Sequence, residues 1–310
     1  MVDTITVWNI DRVLGSGNFG IVSLHRERRT GELRAVKVIS KSHSGTQELA
    51  TLVYLRDHSR HFVQFLGWFE DGDSIHIAME YIAHGDLYQY ITQYPGDAKT
   101  DAKSIARQIL TGLVVLHGRE ICHRDLKPQN ILIASRRPIL VKITDFGVSK
   151  HWGGTSLRTN CGTPCYQAPE QLGLLSRDMN SRGNSYTNAI DLWAVGAIVH
   201  QMLTSEIPFL NTNQGSFLSD LDFGSSDKCS ATIDIYLLVD YCRNLIPYPT
   251  ESLLAKGADR DEIDFVKSVM TVKPRGRLTA VEALGSVWVG GTVPSTAAVI
   301  PPAPGVVLPS

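Results

Sequence analysis

The stretch HRDLKPQNILIASRRPILVKITDFG, residues 123–147, decides the interpretation of this chain. It brings together two acids, a lysine and an amide, namely Asp125, Asp145, Lys127 and Asn130. Phosphoryl transfer requires a carboxylate for a hydroxyl proton, oxygen ligands for a metal ion and a cation for the phosphate. The stretch therefore predicts phosphoryl-transfer chemistry, supplied by one loop and one strand-to-loop turn.

The bulk composition is that of an ordinary globular protein. The 310 residues are 43% hydrophobic and 20% charged, with a formal net charge of -1, so neither nucleic acid nor a membrane is an expected partner. The amino terminus has no signal-peptide pattern or myristoylation glycine, and no apolar run is long enough to span a bilayer. The five cysteines form no zinc-binding pattern. We therefore expect a cytoplasmic or nuclear protein with reduced thiols.

The first eighty residues show the pattern of a sheet. The turn Arg29-Thr30-Gly31-Glu32 is too short for the crossover that a parallel pair needs, so the strands on either side of it are antiparallel. Strands are predicted at 7–14, 21–26, 33–39, 62–69 and 74–79, with a helix at 45–56.

After about residue 81 the periodicity becomes helical. Ile105, Ile109, Leu113 and Leu116 form an apolar stripe, which predicts a helix over 98–118. The end of the sequence is rich in proline and predicts a disordered tail. Residues 211–260 show no clear pattern, and further helices are predicted at 189–204, 261–270 and 279–288.

A glycine-rich segment, Gly15-Ser16-Gly17-Asn18-Phe19-Gly20, lets backbone amides approach phosphate oxygens. The motif alone has little specificity, since it also suits a dinucleotide-binding oxidoreductase or a flexible hairpin. In the Rossmann fingerprint the glycines join a strand to a helix, whereas here they join two predicted strands. The context therefore argues against a nicotinamide enzyme.

Lys37, in the strand segment Ala35-Val36-Lys37, lies where it can reach phosphate oxygens. A half-buried lysine needs a counter-charge. Glu48 is the candidate, because Leu52 and Leu55 follow it at helical spacing and would direct that helix inward. A solvated strand lysine and a surface glutamate are the alternatives.

Six motifs in this order resemble those of eukaryotic protein kinases. They are GSGNFGIV, AVK, HRDLKPQN, DFG, GTPCYQAPE and DLWAVG, and the resemblance extends over nearly the whole chain. It implies an α+β, bilobal protein-kinase fold with an antiparallel sheet and one main helix in the N-lobe and a mostly α-helical C-lobe. The implied domains are an ATP-binding N-lobe at 8–80, a catalytic C-lobe at 81–289 and a tail at 290–310.

The resemblance also implies catalytic roles. Asp125 would be the catalytic base, and Asn130 and Asp145 would bind Mg2+. Lys127 would contact the γ-phosphate with Thr163 as its partner, and both are typical of serine/threonine kinases. Lys37 would bind the ATP phosphates and pair with Glu48.

For ATP, the resemblance implies a hinge with a gatekeeper residue at its start, apolar walls around the adenine and an acid at the ribose. The implied nucleotide-binding residues are Leu14, Gly15, Ser16, Gly17, Asn18, Phe19, Gly20, Val22, Ala35, Lys37, Met79, Glu80, Ile82, Asp86, Leu132 and Asp145.

Regulation and substrates follow from the same resemblance. Arg124, directly before the catalytic acid, indicates activation by a phosphate on Thr159, with Lys150 as a second cation. The phosphate would come from an upstream kinase or from another copy of the chain. Protein substrates with serine or threonine are expected, with at most a mild basic preference, because Gln129 and Gln201 occupy positions where basophilic relatives carry acids.

An alternative is a catalytically weak pseudokinase that acts as a signalling scaffold. It predicts the loss of Lys37, Asp125 or Asp145, and all three are present. A structural ion pair between Glu170 and Arg277 is also implied.

Overall fold

The computed structural model describes residues 7–17, 20–41, 43–147, 150–151, 164–175, 187–209 and 233–290. The strands of the first lobe are β1 (Trp8–Gly17), β2 (Gly20–Glu27), β3 (Leu33–Ser40), β4 (Phe65–Asp71) and β5 (Ser74–Glu80). They form an antiparallel sheet in the order β1-β2-β3-β5-β4. The helix α1 (His43–Leu55) follows β3, as predicted.

The register of the central strands places four of the predicted nucleotide-binding residues on one face of the sheet. Val22 lies opposite Lys37, and Ala35 lies opposite Met79. Because side chains alternate between the two faces of a strand, these four residues point to the same side. That side forms the roof of the cleft described below.

The predicted strand at 62–69 is wrong at its start, because β4 begins at Phe65. Phe62 instead forms a parallel bridge to Ile143, with hydrogen bonds from the Val63 amide to the Ile143 carbonyl and from the Ile143 amide to the His61 carbonyl. The Phe62 side chain is fully buried. Burial against the second lobe therefore takes this segment away from the sheet.

The second lobe is mainly helical. Its helices are α2 (Leu87–Gln93), α3 (Pro95–His117), α4 (Thr187–Thr204), α5 (Ile235–Cys242), α6 (Glu251–Ala255), α7 (Arg260–Val269) and α8 (Ala280–Leu284). Its strands are β6 (Ile121–Cys122), β7 (Ile131–Arg136), β8 (Ile139–Ile143) and β9 (Lys150–His151), paired as β6-β9 and β7-β8.

Several bounds in this lobe differ from prediction. α3 starts earlier than predicted, with Pro95 in the first turn, where the missing N–H costs nothing. α8 ends at Leu284 instead of continuing to 288, and Trp288 packs on Phe265 at 4.8 Å. The short helices α2, α5 and α6 were not predicted, since five to eight residues give too few turns for a periodicity signal.

The core of this lobe is built around α4. Every side chain from Ile190 to Thr204 is buried, as expected of a helix covered on all sides. The predicted stripe of α3 is confirmed, because Ile105, Ile109 and Leu113 are fully buried. No helix in the described part of the chain combines the length and apolar character needed to cross a bilayer.

Candidate active site

A cleft of about 870 Å3 lies beneath the sheet of the first lobe. Residues of both lobes line it, including Lys127 and Asn130 from the segment around Asp125. Most of the predicted nucleotide-binding residues line the same cleft: Leu14, Gly15, Ser16, Gly20, Val22, Ala35, Lys37, Met79, Glu80, Ile82, Asp86, Leu132 and Asp145.

At the inner end of the cleft, Lys37 joins the two lobes. Its Nζ donates to Glu48 Oε1 at 2.6 Å and to Asp145 Oδ1 at 2.8 Å. The Lys37 and Glu48 side chains are almost fully buried, whereas the Asp145 side chain is 29% exposed. A strand, a helix and the turn after β8 therefore meet at one ammonium group.

Burial and charge act in opposite directions on these groups. Burial lowers the pKa of Lys37, but the negative charges of Asp145 and Glu48 outweigh it and leave the pKa raised. Burial raises the pKa of Asp145, but the Lys37 charge outweighs it and leaves the pKa lowered. For Glu48 burial dominates, and its pKa is raised. The lysine and Asp145 are thus held charged, and Glu48 is the group nearest to taking up a proton.

The segment that contains the predicted catalytic residues is arranged around Asp125. Asn130 Nδ2 donates to the Asp125 carbonyl at 2.7 Å and to its Oδ2 at 3.3 Å. Lys127 Nζ lies 3.3 Å from the same carboxylate oxygen. The 3-10 turn Pro128–Asn130, directly after Lys127, brings the amide and the lysine to the same carboxylate oxygen. A carboxylate, a cation and an amide therefore converge beside the cleft.

Asp191, at the start of α4, fixes the backbone of this segment. Its carboxylate accepts the amide N–H groups of His123 and Arg124, each at 2.9 Å, and lies 2.9 Å from His117 Nε2. Burial raises the pKa of Asp191, but the contact with His117 outweighs it and leaves the pKa lowered. The motif DLWAVG contains this acid, but its sequence did not reveal which backbone it would hold.

Phe146 holds the turn that carries Asp145. It is 1% exposed, and the centre of its ring lies 5.9 Å from that of Phe62 and 5.3 Å from that of His123. Asp145 has a left-handed φ of 66°, a conformation that a non-glycine residue adopts at a cost. The buried ring therefore fixes a strained turn and keeps the carboxylate on Lys37.

Two acids among the predicted nucleotide-binding residues, Glu80 and Asp86, also have structural partners. The Glu80 carboxylate accepts from Lys142 Nζ at 2.5 Å and from the Gln64 amide at 2.6 Å, so hinge contacts to a base would come from backbone groups. The Asp86 side chain caps α2 by accepting the Gln89 amide at 2.8 Å. Burial raises the pKa of Asp86.

Comparison with known proteins identifies the architecture. A family model described as Protein kinase domain matches residues 8–289. The chain belongs to this family. Serine/threonine-protein kinase RAD53 of Saccharomyces cerevisiae is 34% identical over 90% of this chain and 32% of its own length. Serine/threonine-protein kinase cds1 of Schizosaccharomyces pombe is 32% identical over 91% of this chain and 58% of its own length.

Solved structures agree with the family model. The crystal structure of Rad53 1-466 in complex with AMP-PNP matches with a TM-score of 0.69 at 32% identity, covering 91% of this chain and 65% of that one. The predicted α+β kinase fold is confirmed. The kinase domain described here spans 32% of RAD53 and 58% of cds1.

Four predicted site residues of the kinase domain, Asn18, Phe19, Thr159 and Thr163, lie outside the described residues. For two more predicted residues, Gly17 and Lys150, the backbone alone is described. Gly17 ends β1, opposite Gly20. Lys150 lies in β9, paired with Cys122 of β6.

The remaining predicted positions of the kinase domain are buried or partly buried. Arg124 is 6% exposed, and its carbonyl accepts from Gln171 Nε2 at 3.2 Å. Gln201 is also buried, and its Oε1 accepts the Tyr166 hydroxyl at 2.7 Å. The Gln201 side chain therefore helps to hold the segment around Tyr166. Gln129 lines the cleft, and its buried Oε1 has no hydrogen bond to the described part of the chain.

The ion pair implied between Glu170 and Arg277 is present. The guanidinium is bidentate, with Nη1 at 2.7 Å and Nη2 at 3.1 Å from the two carboxylate oxygens. Both side chains are fully buried. Arg277 further donates to the carbonyls of Ala189, Thr271 and Val272. This pair ties the segment around Glu170 to α4 and to the residues that follow α7.

Proposed function

We propose that this chain is an ATP-dependent serine/threonine protein kinase that transfers the γ-phosphate of ATP to hydroxyl groups of protein substrates. One observation supports this most directly, namely that Lys37 Nζ contacts Glu48 and Asp145 together, at 2.6 and 2.8 Å. The contact supports the proposal because it brings a lysine ammonium and a carboxylate together in one cleft. Lys127 and Asn130, which flank Asp125, line the same cleft.

The proposed chemistry assigns one task to each group. Lys37, fixed by Glu48, binds phosphate oxygens of ATP and orients them. Asp125 accepts the proton of the substrate hydroxyl as that oxygen attacks the γ-phosphate. Lys127, 3.3 Å from the Asp125 carboxylate, stabilises the negative charge that develops on the transferred group. Val22, Ala35 and Leu132 provide apolar walls for the adenine.

The donor set fits Mg2+, which prefers oxygen ligands. Asn130 directs its Nδ2 to Asp125, so its Oδ1 is the atom left for a cation. Asp145 contacts Lys37 through Oδ1, and its carboxylate is partly exposed. Bound between these residues, Mg2+ would neutralise charge on the phosphate oxygens.

The scaffold alternative has less support. A pseudokinase is expected to lack a catalytic group or to hold its lysine away from the helix glutamate. Here Lys37, Asp125 and Asp145 are present, and the lysine is bonded to the glutamate. The proposed lobes are residues 8–80, which bind ATP, and 81–289, which bind the protein substrate.

Activation through Thr159 is part of this proposal. A phosphate adds nearly two negative charges, and Arg124 together with Lys150 would receive them. The pairing of Lys150 with Cys122 supports this, because Cys122 lies just before Arg124 in the chain. If Thr159→Ala is as active as the wild type after treatment with an activating kinase and ATP, this part of the proposal is wrong.

Activity is tested with purified protein, γ-labelled ATP, Mg2+ and paired peptides that differ in a serine, threonine or tyrosine acceptor. We expect transfer to serine and threonine, and a loss on the order of 100- to 1,000-fold in Asp125→Asn and Asp145→Asn. Asp57→Asn is the control, since the Asp57 side chain is exposed and does not line the cleft. Equal transfer by all variants would indicate a contaminant, and no transfer by the phosphorylated wild type would favour the scaffold.

A further inference from the structure

The outer end of the cleft contains an arginine that the chemistry above does not use. Arg136, the last residue of β7, lines the cleft together with Gln89 and Gln93 of α2. Leu132, which lines the same cleft, lies four residues earlier on the strand. Four residues of strand span about 13 Å, so Arg136 is well beyond the adenine walls.

Two tyrosines hold the guanidinium of Arg136 in place. Its Cζ lies 4.4 Å from the centre of the Tyr94 ring and 5.9 Å from that of Tyr90. Cation–π contacts at such distances restrict the orientation of an arginine head group without using its N–H donors. The side chain is therefore preorganised, and its donors remain for another partner.

The charge of Arg136 has no counter-ion in the described part of the chain. Its Nε is buried and has no hydrogen bond to a described residue, a state that is uncommon for buried polar atoms in native proteins. Asp101 of α3 accepts the Tyr90 hydroxyl at 2.7 Å. Gln89 and Gln93 are neutral, and the Asp86 carboxylate caps α2.

The phosphates of ATP cannot fill this place. In the proposed function they lie at Lys37 and Asp145, at the inner end of the cleft, with the adenine walls in between. An anion that reaches Arg136 must therefore belong to another molecule bound along the cleft. The protein substrate is that molecule, because its acceptor hydroxyl has to lie at Asp125.

We infer that Arg136 is a specificity-determining residue that binds an anionic side chain of the protein substrate, away from the phosphoacceptor. This inference rests on the proposed kinase activity. β7 runs from Ile131 to Arg136, a span of about 17 Å, so an extended peptide reaches Arg136 some four to six residues from the acceptor. This inference adds a preference for acid at this distance to the mild basic preference that the sequence predicts at most.

The test measures kcat/KM for synthetic peptides that differ at one position. Glutamate, glutamine, lysine or phosphoserine is placed at each position on either side of one acceptor serine. We expect wild-type protein to prefer glutamate over glutamine by roughly three- to tenfold at one position, as for one charge-assisted hydrogen bond. A larger gain for phosphoserine than for glutamate would identify a phosphate, and not a carboxylate, as the natural partner.

Variants assign the preference to one side chain. In Arg136→Gln the ratio between glutamate and glutamine peptides should fall to about one, and Arg136→Lys should keep part of it, since a lysine has the charge but not the planar fork. Arg137→Gln is the matched control, because Arg137 is adjacent and exposed. Melting temperatures identify any general loss of folding.

The outcomes separate this inference from the proposed function. If all variants phosphorylate the peptides but none distinguishes glutamate from glutamine, the inference is wrong while the kinase activity stands. The same conclusion follows if Arg136→Gln keeps the wild-type ratio. If the phosphorylated wild type transfers no phosphate to any peptide, the proposed function itself fails.

Discussion

Two buried ionic contacts in this kinase domain differ in the balance of their charges. In the C-lobe, Glu170 and Arg277 form a one-to-one pair with both side chains fully buried. At the cleft, Lys37 is shared by Glu48 and Asp145, so one positive charge faces two negative ones.

The balance of charge separates a structural contact from a functional one. Arg277 uses its donors on the Glu170 carboxylate and on three backbone carbonyls, so a ligand has nothing to add. At the cleft the excess negative charge and the partial exposure of Asp145 leave room for a cation. A closed pair destabilises the fold when one partner is removed, whereas an incomplete cluster of charges is typical of functional sites.

The largest effect is expected when the incomplete cluster loses its cation. Lys37→Met should lower kcat on the order of 1,000-fold, because the phosphates lose their positioning charge. Stability should fall less than after loss of Arg277, since the pKa of Glu48 is already raised by burial and this carboxyl can take up a proton. Turnover of labelled ATP and urea unfolding measure the two quantities.

Lys41→Met is the matched control for this variant. Lys41 is partly exposed and pairs with Glu70 on the surface at 2.5 Å, a kind of contact that contributes little to stability. Similar turnover of the two methionine variants would contradict the role assigned to Lys37.

For the Glu170–Arg277 pair, the larger effect of losing the cation should be on stability. Arg277→Met leaves Glu170 buried without its counter-charge and should lower the free energy of unfolding by about 3 to 5 kcal/mol. The double variant Arg277→Met, Glu170→Leu should recover much of that loss, since no charge then remains buried. Arg260→Met, in the exposed pair with Asp264, should change stability little. If Arg277→Met is as stable as Arg260→Met in urea, the structural role is refuted.

A third buried group of the C-lobe predicts a pH dependence. Burial lowers the pKa of His200 to about 4, and its ring nitrogens lie 2.8 Å from the Tyr248 hydroxyl and 3.1 Å from Ser252 Oγ. Between about pH 6.5 and 4 the unfolded chain binds a proton that the folded chain refuses. The neutral His200 therefore contributes fully to stability above pH 6.5. As the pH falls from there to about 4, the free energy of unfolding should decrease by about 3 kcal/mol in total.

Unfolding measured across this pH range in the wild type and in His200→Gln tests the prediction. Since every other group titrates in both proteins, the difference between the two curves isolates His200. Parallel curves would show that its pKa is not lowered.

The smallest effect concerns a contact between α1, which carries Glu48 to the cleft, and the C-lobe. Tyr54 lies on α1, the helix that carries Glu48, and Arg119 of the C-lobe lies 4.8 Å from the centre of its ring. The buried Tyr54 hydroxyl has no hydrogen bond to a described residue, so Tyr54→Phe should leave stability unchanged or slightly raised. A double-mutant cycle of Tyr54→Leu with Arg119→Met should give a coupling of about 0.5 to 1 kcal/mol. A coupling of zero would mean that the ring and the guanidinium are mere neighbours.

Sequence patterns predicted the long elements and the motif residues well. The stripe of α3 and the hairpin between β2 and β3 follow from local spacing, which the chain shows directly. The bridge from Phe62 to Ile143 was missed because its partner is far away in sequence and its burial depends on the second lobe. The role of Asp191 was missed for the same reason, since the backbone amides that it binds lie outside its own helix.

The sequence by itself determined the family, the chemical groups and their order, because spacing within a strand, helix or turn fixes which side chains can act together locally. Only the tertiary structure decided how those groups are paired. It joined Lys37 to both Glu48 and Asp145, completed the Glu170–Arg277 pair, and left Arg136 without a counter-ion among the described residues. Charge balance and burial depend on contacts between distant segments, and these exist only after the chain has folded.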